Sequence, residues 1–334
     1  MNVAKVLAIP HLVFFSFFLL EITFFSPICS AESAVASNQV TTTLLLDAYD
    51  TGSRIVAIGW RGHIVISDDK GQSWKQVIAD TRFLLSAVTF ASDKKGWAVG
   101  HNSTILHTND GGLTWVKQYE DLTLMKALFD VCFLDENTGG AVGSLGLVMH
   151  TEDGGKSWQN ISESLNNPDQ YHYYGITGSK QGTLYIVGER DATLEGGLIF
   201  QSTDTGKSWK QLGSASPGTL FGVSISPNQS AMYVYGILGN LYRSTNLGQS
   251  FEKIPLPTRE TVTNLEFIDD NNIIAVGAKG LIATSENGID FRNRFDRARN
   301  DFTSVLPLDQ QKAIVTGPKG VSIIDIHSTE YHKP

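Results

Sequence analysis

The sequence predicts an all-β fold, a seven-bladed β-propeller, and three observations carry that reading. Six segments share the pattern Ser/Thr-x-Asp-x-Gly-x-Ser/Thr-aromatic: Ser67–Trp74, Thr108–Trp115, Thr151–Trp158, Ser202–Trp209, Ser244–Phe251 and Thr284–Phe291. Their third residues, Asp69, Asp110, Asp153, Asp204, Asn246 and Glu286, lie 40 to 51 residues apart, which is one propeller blade per repeat. Short β-favouring runs ending in glycine precede each box, at Gly59, Gly100, Gly143, Gly188, Gly236 and Gly277, and a seventh copy ends at Gly317 with no box after it.

Within a repeat the period is that of strands. In the second repeat, Leu85–Phe90, Gly96–Val99, Thr104–His107 and Trp115–Gln118 are short β-favouring runs separated by polar turns. No window offers a long amphipathic helix. The blades are expected near 44–80, 81–120, 121–165, 166–213, 214–256, 257–297 and 298–330. The last blade lacks a fourth strand, and Ser37–Thr43 is expected to supply it, closing the ring and removing an open sheet edge.

Residues 1–31 read as a secretion signal: Lys5, an apolar run from Leu7 to Leu20, and the small-residue stretch Cys29-Ser30-Ala31 before the expected cleavage. Pro10, His11 and Ser16 interrupt a run already shorter than a membrane span. Bulky Ile28 precedes Cys29, so no lipid anchor is expected. The formal charge is −8, and removing Lys5 with Glu21 leaves it unchanged. That balance argues against nucleic acid as a partner, since phosphate binding requires a basic field. Only Cys132 then remains, so no internal disulfide forms, and its apolar neighbours Val131 and Phe133 place it in the core.

The boxes have a structural explanation. A short carboxylate accepts bonds from its own turn, glycine permits positive φ, and the terminal ring re-enters the sheet. Trp74, Trp115, Trp158 and Trp209 occupy that ring position. Calcium is disfavoured, because each box has few carboxylates and no distal glutamate. No metal or other cofactor is expected, and His107 and His150, at matching positions of successive repeats, read as strand residues.

The boxes, the glycine landmarks and segments such as Gly59–Ile64, Gly96–His101, Gly140–Gly143 and Phe221–Val223 resemble the Asp-box propellers of the photosystem II stability and assembly factor family, including its non-photosynthetic relatives. That resemblance implies an exported, non-enzymatic scaffold in the periplasm or thylakoid lumen, soluble or peripheral to the membrane. It implies a membrane-protein partner: a photosystem II subunit, or in a heterotroph another envelope complex such as a resistance-nodulation-division transporter. The chain is expected to act as a monomer.

Sialidases also use such boxes, so a glycosidase or glycan-binding propeller is the rival reading. It would need Tyr173, with Glu189 and nearby arginines, to converge on the hub; Arg54-Ile55-Val56 stands where those enzymes carry Arg-Ile-Pro, without the proline. No third element follows, and no catalytic residue is assigned.

Strand order places the strand 2–3 turns and blade links on one face, and the strand 1–2 turns and boxes on the other. The box face collects acids. The opposite face is expected to present Arg61, Arg82, Arg190, Arg259, Lys279, Arg294, Arg297, Arg299 and Lys319, most of them on blades 6, 7 and 1. The longer link Ile161–Tyr174 and turn Glu189–Glu195 fall on the same face, which is therefore the expected partner-binding surface.

Overall fold

A computed structural model describes residues 33–191 and 196–327; the secretion signal expected over 1–31 lies outside them. Seven antiparallel sheets follow one another along the chain, six of four strands and the last of three. Blade 1 sets the pattern with Leu45–Asp50, Ile55–Gly59, Ile64–Ser67 and Lys75–Val77, from the hub outward. The hub strands of blades 2 to 7 are Leu85–Phe90, Leu128–Phe133, Tyr173–Gly178, Leu220–Ile225, Val262–Phe267 and Ser304–Pro307.

Second strands such as Ile55–Gly59 and Ile273–Gly277 are buried along their whole length. They lie between neighbouring blades, which explains their continuous apolar runs. The core is a series of clusters between adjacent faces; one joins Val56, Ile58, Ile64 and Ile66 of blade 1 to Leu85, Val88, Phe90 and Leu106 of blade 2. The landmark glycine of each second strand has a steric cause. A Cβ at Gly100 or Gly143 would strike the carbonyl oxygen of Leu84 or Ala127, where the chain enters the hub strand.

Among the described residues, no strand is shared across the closure of the ring. Residues 37–43, expected to complete blade 7, form turns instead, because Thr42 spends its N–H and hydroxyl on the Gln39 carbonyl. The Thr41 carbonyl accepts from Val321 N–H of blade 7 at 3.1 Å, and Val40 shares a core cluster with Leu306 and Val321. Side chains make the closure: Thr303 Oγ1 donates to the Leu45 carbonyl at 3.0 Å and Ser304 Oγ to Asp47 Oδ1 at 2.9 Å.

Candidate partner-binding face

The two faces are built differently. In box 1, Asp69 Oδ1 accepts from Ser67 Oγ at 2.8 Å and Ser73 N–H at 2.8 Å, and Oδ2 accepts from Ser73 Oγ at 2.6 Å. Asp110, Asp153 and Asp204 repeat this with their own hydroxyl residues. Hydrogen bonds from Ser73, Ser157 and Ser208 hold Asp69, Asp153 and Asp204 at about 2. The rings return the constraint: Trp74, Trp115 and Trp209 donate Nε1–H to the box carbonyls of Gly71, Gly112 and Gly206, while Trp158 turns to Gln118 Oε1.

Boxes 2 to 6 also fasten two blades each. The carbonyls of Gly111, Gly154, Thr205, Leu247 and Gly288 accept from Arg54, Gln118, His150, Tyr185 and Tyr233 of the preceding blade. In blade 6 the box sits one residue later than its sequence alignment. Ser285 and Asn287, rather than Thr284 and Glu286, make the turn, with Asn287 Oδ1 accepting from Ile289 and Asp290 N–H.

On the other face, six hub strands carry a bulge at their second residue: Leu46, Ser86, Phe129, Tyr174, Phe221 and Thr263. A bulge re-aims a side chain, and here it does so where each hub strand begins, at the channel mouth on the link face. Three of these residues touch in series: Phe129 stacks on Tyr174 at 5.6 Å and Tyr174 meets Phe221 edge-on at 5.1 Å.

Below the mouth, third-position side chains tie hub strands together. Asp47 Oδ2 accepts from Val88 N–H, Asp130 Oδ2 from Ile176 N–H, and Asn264 Oδ1 from Val305 N–H, each at 2.8–3.0 Å. Desolvation raises Asp130 to about 7 and Glu266 to about 8, the latter also through the charges of Asp47 and Asp130. Burial and Asp130 push the Cys132 thiol up to about 12. Sequence reading missed this hub set; its signal was an acid or amide at the third position of the first strand in three repeats, at Asp47, Asp130 and Asn264.

Arg61 and Lys279 lie at the tips of tight 2–3 turns and are exposed, as are Arg82, Arg259, Arg297, Arg299 and Lys319. Topology places these seven in consecutive loops of blades 6, 7 and 1. The acids in those loops are largely engaged: Glu260 pairs with Lys279 at 3.0 Å, Asp301 accepts from Lys279 N–H at 2.7 Å and Asp296 from Ala298 N–H at 2.9 Å. Among the described residues, none pairs with Arg61, Arg259, Arg297 or Lys319. Arg299 lies 4.1 Å over the Phe295 ring. Arg82 donates to the Ser33 carbonyl.

Two expected members stand apart. Arg294 is half-buried in strand Arg292–Phe295, and its guanidinium donates to the Asp325 carbonyl of blade 7. Arg190, exposed, lies near the end of the long second strand of blade 4, paired with Gly197, across the mouth from the basic loops. The tyrosine of the rival glycosidase reading is sealed in a blade: Tyr173 is 0% exposed and edge-on to Phe200. Glu189 Oε2 accepts from His172 N–H, and Arg54 pairs with Asp68 on the box face.

Among the described residues, no helix is long and apolar enough to cross a membrane, and no group of three or more histidines, cysteines and acids is placed to hold a metal ion. The geometry defines a seven-bladed Asp-box propeller whose boxes are consumed in holding blades together and whose link face is left open. The profile described as "Photosynthesis system II assembly factor YCF48" matches residues 69–251 and 116–301. A photosystem II assembly lipoprotein Ycf48 of Picosynechococcus sp. is 30% identical, over 77% of this chain and 88% of its own length. The chain belongs to the Ycf48 photosystem II assembly factor family. A solved structure described as YCF48 bound to D1 peptide shares the fold, with a TM-score of 0.68 at 18% identity, covering 90% of this chain and all of the other. So does the Niastella koreensis GH74 enzyme, with a TM-score of 0.68 at 13% identity, covering 90% of this chain and 55% of the other; the propeller alone therefore does not separate binder from enzyme.

Proposed function

We propose that this protein is a non-enzymatic, exported assembly factor that holds an acidic segment of a membrane-protein partner on its link face. The observation carrying the proposal is the run of basic loops over blades 6, 7 and 1 on a chain whose formal charge is −8. Such a sector steers an acidic partner and fixes its orientation. Family membership supports the assembly role, and the relative holding a D1 peptide supports a photosystem II subunit as partner; no observation favours a transporter. Export to the lumen or periplasm accords with a relative named as a lipoprotein and with the leader-like residues 1–31. Sealed Tyr173 supports the non-enzymatic reading, since a nucleophile must be reachable.

Charge reversal of Arg61, Arg297 and Arg299 to glutamate tests the proposal. These side chains are exposed, so the variant folds, unlike one that also alters Arg294. Titration with a fluorescein-labelled D1 peptide should show affinity reduced thirtyfold or more, and pull-down from detergent-solubilised membranes should lose its membrane-protein partner. Equal affinity of the variant and the parent chain rules the proposal out.

A further inference from the structure

Five 2–3 turns share one backbone conformation and differ in the residue at its tip. Arg61, Asn102, Leu145, Leu238 and Lys279 all have φ between 52° and 59°. That left-handed region costs a non-glycine residue roughly 1–2 kcal/mol, with asparagine tolerated best. Leucine is a poor choice there, yet Leu145 and Leu238 occupy it with 44% and 58% of their surface exposed. Neither strain nor exposure benefits folding, so both point outside the chain. The two leucines are at the 2–3 turn tips of blades 3 and 5, on the same face as the half-buried Phe129, Tyr174 and Phe221 of blades 3, 4 and 5, and the His172 ring meets both Phe129 and Tyr174 edge-on. His172 fixes one edge, its Nδ1 accepting Leu145 N–H at 2.7 Å.

We infer that this apolar crescent is a second subsite for the same partner segment, taking one bulky apolar side chain while the basic loops across the channel mouth take the acidic residues. The inference rests on the proposed basic dock and adds a direction to it. Glu163, Asp169 and Glu189 lie in the loops of the crescent's own half, so like charge turns the acidic end of the segment toward blades 6, 7 and 1. The occupant is an extended acidic peptide with an aromatic or aliphatic anchor, since a side chain seated in an apolar pocket contributes most of its affinity at the point of burial.

The probes are two fluorescein-labelled peptides of alternating Glu and Ser, one with a central Phe and its twin with Ser there, titrated against the full chain. The Phe peptide should bind about tenfold more tightly than the twin. In the double variant Leu145→Asn/Leu238→Asn, which relieves strain and therefore folds, the two peptides should bind alike and at the twin's affinity. Equal binding of both peptides to the parent chain overturns the subsite, as does discrimination that survives in the double variant. A concentration-dependent dimer abolished by the leucine changes would assign the crescent to a second copy of the chain and also overturn it. The basic dock fails separately: Phe-peptide binding that needs the leucines but ignores reversal at Arg61, Arg297 and Arg299 sinks the dock and keeps the crescent.

Discussion

The two faces of the disk use the same repeat in opposite ways. On the box face, backbone, hydroxyl and indole groups satisfy one another, each aspartate accepts several bonds, and neighbouring blades lean on the box carbonyls. On the link face, the tips of matching turns carry arginine, asparagine, leucine or lysine, held in a conformation none but asparagine favours. Uniformity marks the side that holds the ring together; variation at one strained position marks the side proposed to read a partner.

Substitutions that treat the faces differently test that contrast. The largest effect is expected for Trp115→Ala, which removes a ring only 6% exposed: stability should fall by about 3–5 kcal/mol in denaturant titration, with unchanged peptide affinity of the folded fraction. Next comes reversal at Arg61, Arg297 and Arg299, a loss of about 2 kcal/mol in binding for a thirtyfold change. Calorimetry should find its Tm within about 2 °C of the parent, since exposed charges contribute little to folding.

The hub gives a third effect, in pH. Burial raises Glu266 to about 8 and Asp130 to about 7, so the folded state binds protons that the unfolded chain has released. The resulting stabilisation is complete below an ordinary carboxyl pKa of roughly 4 and fades as pH rises through about 7 to 8. Partial access through the channel dampens the shift, so Glu266→Gln should raise stability at pH 8.5 by about 1–2 kcal/mol and flatten the decline measured by chemical unfolding between pH 5 and pH 8.5. The smallest effect belongs to Leu145→Asn alone: easing the left-handed turn should add about 0.5–1 kcal/mol, visible as a slightly higher Tm.

The architecture was legible because a box announces itself through residue types that only a particular turn requires, and Asp69, Asp110, Asp153 and Asp204 stand in that register. Blade 6 slipped by one because Thr284 and Ser285 both offer a hydroxyl, and only the bonds of Asn287 show which one caps the turn. The acids of the hub were hidden for a different reason. Asp47, Asp130 and Glu266 look like the solvent-facing half of an alternating strand, whereas their faces meet across the axis. The direction of Arg294 was equally invisible, since its contact with Asp325 joins two blades that the sequence cannot align in depth. The crescent of Phe129, Tyr174 and Phe221 depends on a bulge, which shifts register by one residue and leaves no compositional trace.

Closure by Thr303, Ser304 and Asp47 bears on how the disk is made. Among the described strands, none joins a sheet built by the other end of the chain, so forming these sheets needs no late threading. Each blade can be laid against its predecessor in order of synthesis, and the seam between the last and the first is a docking event between finished surfaces. That seam is consequently where a transient opening is expected to begin, and amide exchange in Ser304–Pro307 should outpace that in Leu128–Phe133.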